Sequence, residues 1–157
     1  TKKHLSEESK EFLASLPLSL ELDNLFFAHS SPCNTEQWPY IFPDNEYAVF
    51  EAFNKIVHRL NFVGHTHWPC IMYQDDDKII LHSGTSVSIE KAHFYLVNVG
   101  SVGQPRDFDP RSCYCIYDVD YQVIALQRVA YDISTTQKKT LENELPRFLA
   151  ERLEKGR

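Results

Sequence analysis

The chain lacks any excess of positive charge: 16 lysines and arginines stand against 22 aspartates and glutamates, for a net charge of −6. A field of that sign repels phosphate, so general binding of nucleic acid is not expected. Any attraction for a phosphorylated substrate has to be local, and metal ions are its obvious source. No apolar run is long enough to span a bilayer, so no membrane segment is expected. Repeats and low-complexity stretches are also absent. The 157 residues, 43% hydrophobic and 24% charged, fit one soluble domain with its own core. Cysteine is sparse. Cys33, Cys70, Cys113 and Cys115 form no C-x-x-C pair, which argues against a disulfide framework and suggests a reducing, cytoplasmic compartment. No signal peptide opens the chain, a weak argument for a sequence that starts at Thr1.

What is present reads as mixed α/β. Ser6 is a good N-cap, Glu7 and Glu8 favour the first turn, and Phe12, Leu13 and Leu16 share a face before Pro17 ends the helix. Leu18, Leu20 and Leu22 alternate with polar residues. Asp23-Asn24 then turns the chain into the apolar strand Leu25 to Ala28. Helical spacing over Glu46 to Leu60 places Val49, Phe50, Phe53, Ile56, Val57 and Leu60 inward. Asn61 to Gly64 reads as a short strand. A hairpin is expected around Asp75-Asp76-Asp77, a strand at Phe94 to Val97, and a strand pair around Asp120-Tyr121. The tail from about Ser134 to Lys155 reads as helical, with a break at Pro146.

Two of these strands run directly into histidines. Phe62-Val63-Gly64 leads to His65-Thr66-His67, and in extended backbone an i, i+2 pair points both imidazoles one way with Cα atoms roughly 6–7 Å apart. Gly64 would remove a side chain where backbone approaches closely. His29 closes the strand Leu25 to Ala28 in the same manner, and Phe94 to Val97 ends in Asn98-Val99-Gly100-Ser101. Ligands in α/β sheets gather beyond the carboxyl ends of strands, so three such endings point to a site. The plainer alternative is a solvated strand end with ordinary histidines. Cys113 and Cys115 read as small buried apolar residues. A structural zinc on His65, His67, Cys70 and Cys33 is conceivable, but no second spaced pair supports it.

The stretches Gly64-His65-Thr66-His67-Trp68-Pro69, Asn98-Val99-Gly100-Ser101-Val102-Gly103-Gln104-Pro105-Arg106-Asp107 and Phe27-Ala28-His29-Ser30-Ser31-Pro32 together resemble the C-terminal motifs of calcineurin-like metallophosphoesterases. Arg128-Val129-Ala130-Tyr131-Asp132 and the Leu145-Pro146 tail extend the likeness over nearly the whole chain. Serine replaces a usual glycine after His29, and Val99 stands where proline is common. The resemblance implies part of a layered α/β/β/α sandwich with two mixed sheets. It implies metal-dependent hydrolysis of phosphate esters by a hydroxide that two divalent ions activate. His29 and His65 would ligate one metal and His67 the other. Manganese, iron, zinc and nickel all suit such mixed sites. Asn98 and Ser101 are candidates for supporting the ligands. Arg106 carries fork-shaped donors suited to phosphate, although anchoring its own loop to Asp107, Asp109 or backbone carbonyls is the more ordinary role. Trp38, Tyr40 and Phe42 could stack a base or leaving group at the mouth of the site. Loop-anchoring core is the preferred reading for them.

The family's Asp-x-His, Gly-Asp-x-x-Asp and Gly-Asn-His motifs do not occur in these 157 residues. Residues 1–157 are therefore expected to be the C-terminal portion of one phosphoesterase domain, with the leaving-group histidine and the carboxylates in an N-terminal segment. Two doubly charged cations 3.5–4 Å apart repel by well over ~10 kcal/mol even at an effective dielectric of about 20. Neutral imidazoles cannot offset that. This chain alone is expected to hold at most one ion and to be inactive or nearly so. The expected partners are a small phosphate ester or nucleotide and that N-terminal segment. A rival expectation is a non-catalytic scaffold that binds protein through a degenerate phosphoesterase fold.

Overall fold

The computed structural model describes residues 4–157. Helix α1 (Glu7–Ser15) starts where the Ser6 side chain accepts the Ser9 backbone N–H at 3.1 Å, with Glu7 and Glu8 at the positive end of the helix dipole. Strands β1 (Ser19–Leu22) and β2 (Leu25–Ala28) pair antiparallel around Asp23-Asn24, and Asp23 takes the left-handed conformation that such a two-residue turn requires. Helix α2 (Glu46–Phe53) is capped by Asn45 and stops well short of Leu60, which opens β3 (Leu60–Val63). The long helix expected there is corrected. In an eight-residue helix only Val49, Ala52 and Phe53 reach the core, and Phe50 and Val57 are exposed.

Strands β4 (Cys70–Asp75) and β5 (Lys78–Leu81) form the hairpin around Asp76-Asp77. They are followed by β6 (Ser86–Ser88), β7 (Phe94–Asn98), β8 (Ser112–Asp118) and β9 (Val123–Val129). Helix α3 (Ile133–Glu142) begins at Asp132, whose carboxylate accepts the Thr135 N–H, and Pro146 precedes the short α4 (Arg147–Glu151). The break expected at Pro146 is there. Among the described residues no helix is long and apolar enough to cross a membrane.

The strands form two sheets. The first runs β1-β2-β3-β7-β4-β5, with β2, β3 and β7 parallel and the other pairs antiparallel; the second runs β6-β9-β8 and is antiparallel throughout. Side chains of the first sheet alternate between two cores. Phe62, Ile71, Tyr95 and Val97 meet Ile124 and Leu126 of the second sheet, and Val63, Cys70, Met72 and Leu96 meet Val49, Ala52 and Phe53 of α2. The order of layers is thus helix, sheet, sheet. Both faces of β3 are buried, so even its polar residue Asn61 is enclosed, donating to the carbonyls of His58 and Tyr95 at 2.8 and 3.0 Å.

Candidate metal centre

The three neighbouring parallel strands β2, β3 and β7 end on the same side of the sheet. Their register sets Phe27 against Phe62 and Phe62 against Val97, so His29, Gly64-His65 and Asn98 leave the sheet side by side. Parallel strands lie about 4.8 Å apart. The rings of His29 and His65 follow that spacing, with centroids 5.1 Å apart at 70°. The ladder continues one step beyond the strands, as the Gly64 N–H donates to the His29 carbonyl at 2.9 Å and the Val99 N–H to that of Val63 at 2.8 Å. His29, His65 and His67 line one open cleft of about 750 Å³, together with Trp38, Gly100 and Ser101.

The histidine pair does not reach this cleft by extended geometry. His65 and His67 both lie in the left-handed region, at φ 65° and 58°, on either side of the buried Thr66. The expectation of an extended H-x-H is corrected. Left-handed backbone at two bulky residues costs of order 1–3 kcal/mol each and persists only where neighbours over-determine it. Asn98 does so here. Its side-chain amide donates to the Gly64 carbonyl at 2.8 Å and to Thr66 Oγ1 at 2.5 Å, while its Oδ1 accepts the Gly100 N–H at 3.0 Å. One buried side chain at the end of β7 therefore fixes the loop that follows β3 and the loop that follows β7.

Glycine matters at Gly100 and not at Gly64, where it was expected to. A Cβ on Gly64 would meet only the His29 carbonyl oxygen at 3.5 Å, an ordinary contact, so crowding does not explain that residue. Gly100 has φ +79°, and a Cβ there would stand 2.8 Å from Cys113 Cβ and 3.1 Å from Pro69 Cβ. No other residue fits without displacing β8 or the histidine loop.

His67 is oriented from behind. Its Nδ1 lies 2.6 Å from the backbone carbonyl of Gln104. A carbonyl can only accept, so Nδ1 carries the proton and Nε2 keeps its lone pair. That is the tautomer of a metal-binding imidazole held by a backbone partner. Burial, the Arg106 guanidinium and the neighbouring histidines push the His67 pKa down, against the Gln104 hydrogen bond. Burial, then His29, lower that of His65. Both rings are held towards the neutral, ligating form.

These donors fit the imidazole half of a metal centre. No aspartate or glutamate is among the residues lining the cleft, and among the described residues no group of three or more histidine, cysteine, aspartate or glutamate side chains is placed to hold one ion. His29 and His65 stand ring against ring, and His67 lines the same cleft. A zinc site drawing on Cys70 finds no support: that thiol is buried in β4 and pushed up to about 12 by desolvation.

The remaining candidates serve the loops. Ser101 Oγ accepts the Gln104 N–H at 3.0 Å. Arg106 turns its Nε and Nη2 onto Gln104 Oε1 at 3.2 and 2.8 Å, and its backbone N–H donates to the His67 carbonyl at 3.2 Å. It therefore anchors its own loop through Gln104, because Asp107 is taken by Arg128 of β9 and Asp109 by Arg111 at 2.6 Å. Gln104 escaped the sequence reading. A backbone carbonyl that orients a histidine has no sequence signature, and only its place in the Gly-Gln-Pro-Arg run could have drawn attention to it. Cys113 is buried, as expected, and Cys115 is partly buried against the core between the sheets. His58, His82 and His93 each have a polar partner, Glu21, the Ser86 carbonyl and Asp75 respectively.

The aromatic loop differs from expectation. Trp38 and Tyr40 are not core, at 45% and 47% exposure, and both lie against His65, with ring centroids 6.1 and 4.2 Å away. Tyr40 stacks in parallel on Phe42, and Trp38 also meets His29 edge-on at 5.5 Å.

No family model matches the chain. An uncharacterized protein of Methanocaldococcus jannaschii is 39% identical over an alignment 161 residues long that covers 100% of this chain and 63% of that protein. Among solved structures, a metallophosphoesterase from Sphaerobacter thermophilus superposes with a TM-score of 0.89 at 33% identity, covering 100% of this chain and 64% of its own. A hypothetical protein from Pyrococcus horikoshii OT3 has the same fold at a TM-score of 0.69 and 20% identity, covering 99% and 57%. The fold is thus the one found in a metallophosphoesterase, and the chain spans less than two thirds of each of these relatives.

Proposed function

We propose that this chain is the histidine-bearing, C-terminal portion of a metal-dependent phosphate-ester hydrolase of the calcineurin-like kind. The observation that carries the reading is the gathering of His29, His65 and His67 on one cleft at the ends of adjacent parallel strands, with two of them held in left-handed backbone by Asn98. Strain fixed by a buried hydrogen-bond network at strand ends is characteristic of a working site. Likeness to the Sphaerobacter metallophosphoesterase supports the same conclusion.

In this reading His29 and His65 hold one divalent ion and the Nε2 of His67 a second, with manganese, iron, zinc or nickel as candidates. When bound, such ions supply a nucleophile at neutral pH and positive charge against the charge developing on the phosphoryl oxygens. The chain's own residues position and exclude. Gln104 and Asn98 fix the ligand directions, and Arg106 keeps a guanidinium near the site. The carboxylates and the leaving-group histidine come from an N-terminal segment outside these 157 residues, so the chain alone binds at most one ion and turns over little or nothing. Four free thiols fit a reducing, cytoplasmic setting.

The test is hydrolysis of bis(p-nitrophenyl) phosphate with manganese, by the full-length natural protein and by residues 1–157. Turnover by the full-length protein alone is expected. Robust turnover by the 157-residue chain would overturn the account of the carboxylates. An inactive full-length protein that still binds protein partners would favour a scaffold.

A further inference from the structure

We infer that the ester bound in this cleft carries a planar aromatic group, and that Trp38 is the platform on which that group stacks. The inference rests on the phosphoesterase reading above and adds the class of substrate to it. Trp38 lines the same cleft as the three histidines, and its ring centroid stands 5.5 Å from that of His29 and 6.1 Å from that of His65. A group joined to a phosphate near those imidazoles would therefore lie within reach of the indole. The indole has no share in either hydrophobic core and leaves 45% of its surface in water.

The backbone holds it there at a cost. Trp38 closes a three-residue 3-10 turn, Thr35–Gln37, in left-handed conformation at φ 54°, and Asn34 opens that turn at φ 51°. Asparagine tolerates this region, whereas a bulky aromatic residue there is a genuine outlier. Tyr40 also packs on His65, 4.2 Å from the imidazole, and is backed by Phe42, with the two rings 5.8 Å apart and only 4° from parallel. The exposed indole thus packs on the rings of His29 and His65 and does not project from the surface alone.

The rest of the cleft fits the same class of ligand. Leu20, Phe27, Phe62, Val99 and Val102 make its walls largely apolar. Such walls offer a sugar few hydrogen bonds and suit the face of a flat ring. A nucleobase and a simple aryl group share this chemistry, and matched ligands separate them.

The experiment measures binding to the full-length, manganese-loaded protein by isothermal titration calorimetry. Adenosine 5′-monophosphate is compared with ribose 5-phosphate, and phenyl phosphate with cyclohexyl phosphate. Within each pair the phosphate is the same and only the aromatic ring differs. The aromatic member is expected to bind about tenfold or more tightly, the scale of one base stacked on an aromatic side chain. Preference in both pairs assigns any flat ring to the subsite, and preference in the first pair alone assigns a nucleobase. Trp38→Leu should reduce the preference to about threefold or less, and Trp38→Phe should restore most of it. Equal affinities within both pairs, or a preference that survives Trp38→Leu, would overturn the inference and leave the phosphoesterase reading standing. If none of the four ligands binds, the phosphate site itself fails, and this inference fails with it.

Discussion

The middle of the six-stranded sheet and its N-terminal edge use the same kinds of residue with opposite results. In β3 and β7 the residues Leu60–Val63 and Tyr95–Asn98 are all buried, with α2 on one side and the second sheet on the other. At the edge, α1 has no buried residue, Phe12, Leu13 and Leu16 face water, and Leu20 and Leu22 of β1 are half exposed. An apolar pattern fixes which face of an element seeks cover; whether cover exists depends on the rest of the fold. His65 and His67 follow the covered strand β3, and His29 follows its partly buried neighbour β2. Their precision is borrowed from the most rigid part of the molecule.

The sharpest way to expose this contrast is to remove the same side chain from both regions. Leu60→Ala, in the fully buried centre, should cost about 3–4 kcal/mol in denaturant unfolding. Leu22→Ala, at the edge, should cost less than ~1 kcal/mol. Similar losses at both sites would erase the distinction.

Next in size is Gly100→Ala. Its added methyl meets Cys113 and Pro69 in left-handed backbone, so a loss of about 2–3 kcal/mol is expected. The same substitution at Gly64 should be far milder, and calorimetric melting of the two variants compares them directly. Asn98→Ala strands the Gly100 N–H in the interior and leaves the Gly64 carbonyl only its bond from the Thr66 N–H, for a cost of about 2 kcal/mol. Because Asn98 sets the left-handed loop, manganese affinity of the full-length protein should also fall by ~10–100-fold. Unchanged affinity would mean that the histidines hold their geometry without it.

The smallest effect concerns acid stability, away from the sheet centre. Hydrogen bonds from Arg111, aided by Arg128, hold the Asp109 carboxyl down from its ordinary 3.8 to about 2. A carboxylate whose folded pKa is depressed contributes stability that is present above pH 3.8 and lost as pH falls through about 2. Asp109→Asn should therefore lessen the slope of stability against pH within that window and leave it unchanged near neutrality.

Much of this was legible in the sequence, for local reasons. Ser6, Asp23-Asn24, Asp76-Asp77 and Pro146 act on their immediate neighbours, so α1, the two hairpins and the break in the tail followed from them. The strand endings at His29, Gly64 and Asn98 also showed, because buried parallel strands read as apolar runs that stop abruptly. Legibility failed where distant partners decide. The left-handed turns at His65 and His67 depend on Asn98, more than thirty residues away, and periodicity cannot reveal them. The apolar spacing from Glu46 to Leu60 merged a helix with the strand that follows, since short apolar runs suit either. Strand β6, three residues of Ser-Val-Ser, is defined only by its pairing with β9. Trp38 and Tyr40 read as core because aromatic loop residues usually are. The ring contacts with His65 place them at the site instead.

The account depends most on the histidines acting as ligands, and counting ions tests that directly. Manganese titrated calorimetrically into the full-length protein should fill two sites, and His67→Ala should leave one. A His67→Ala variant that takes up as many ions, as tightly, as the unaltered protein would contradict the account.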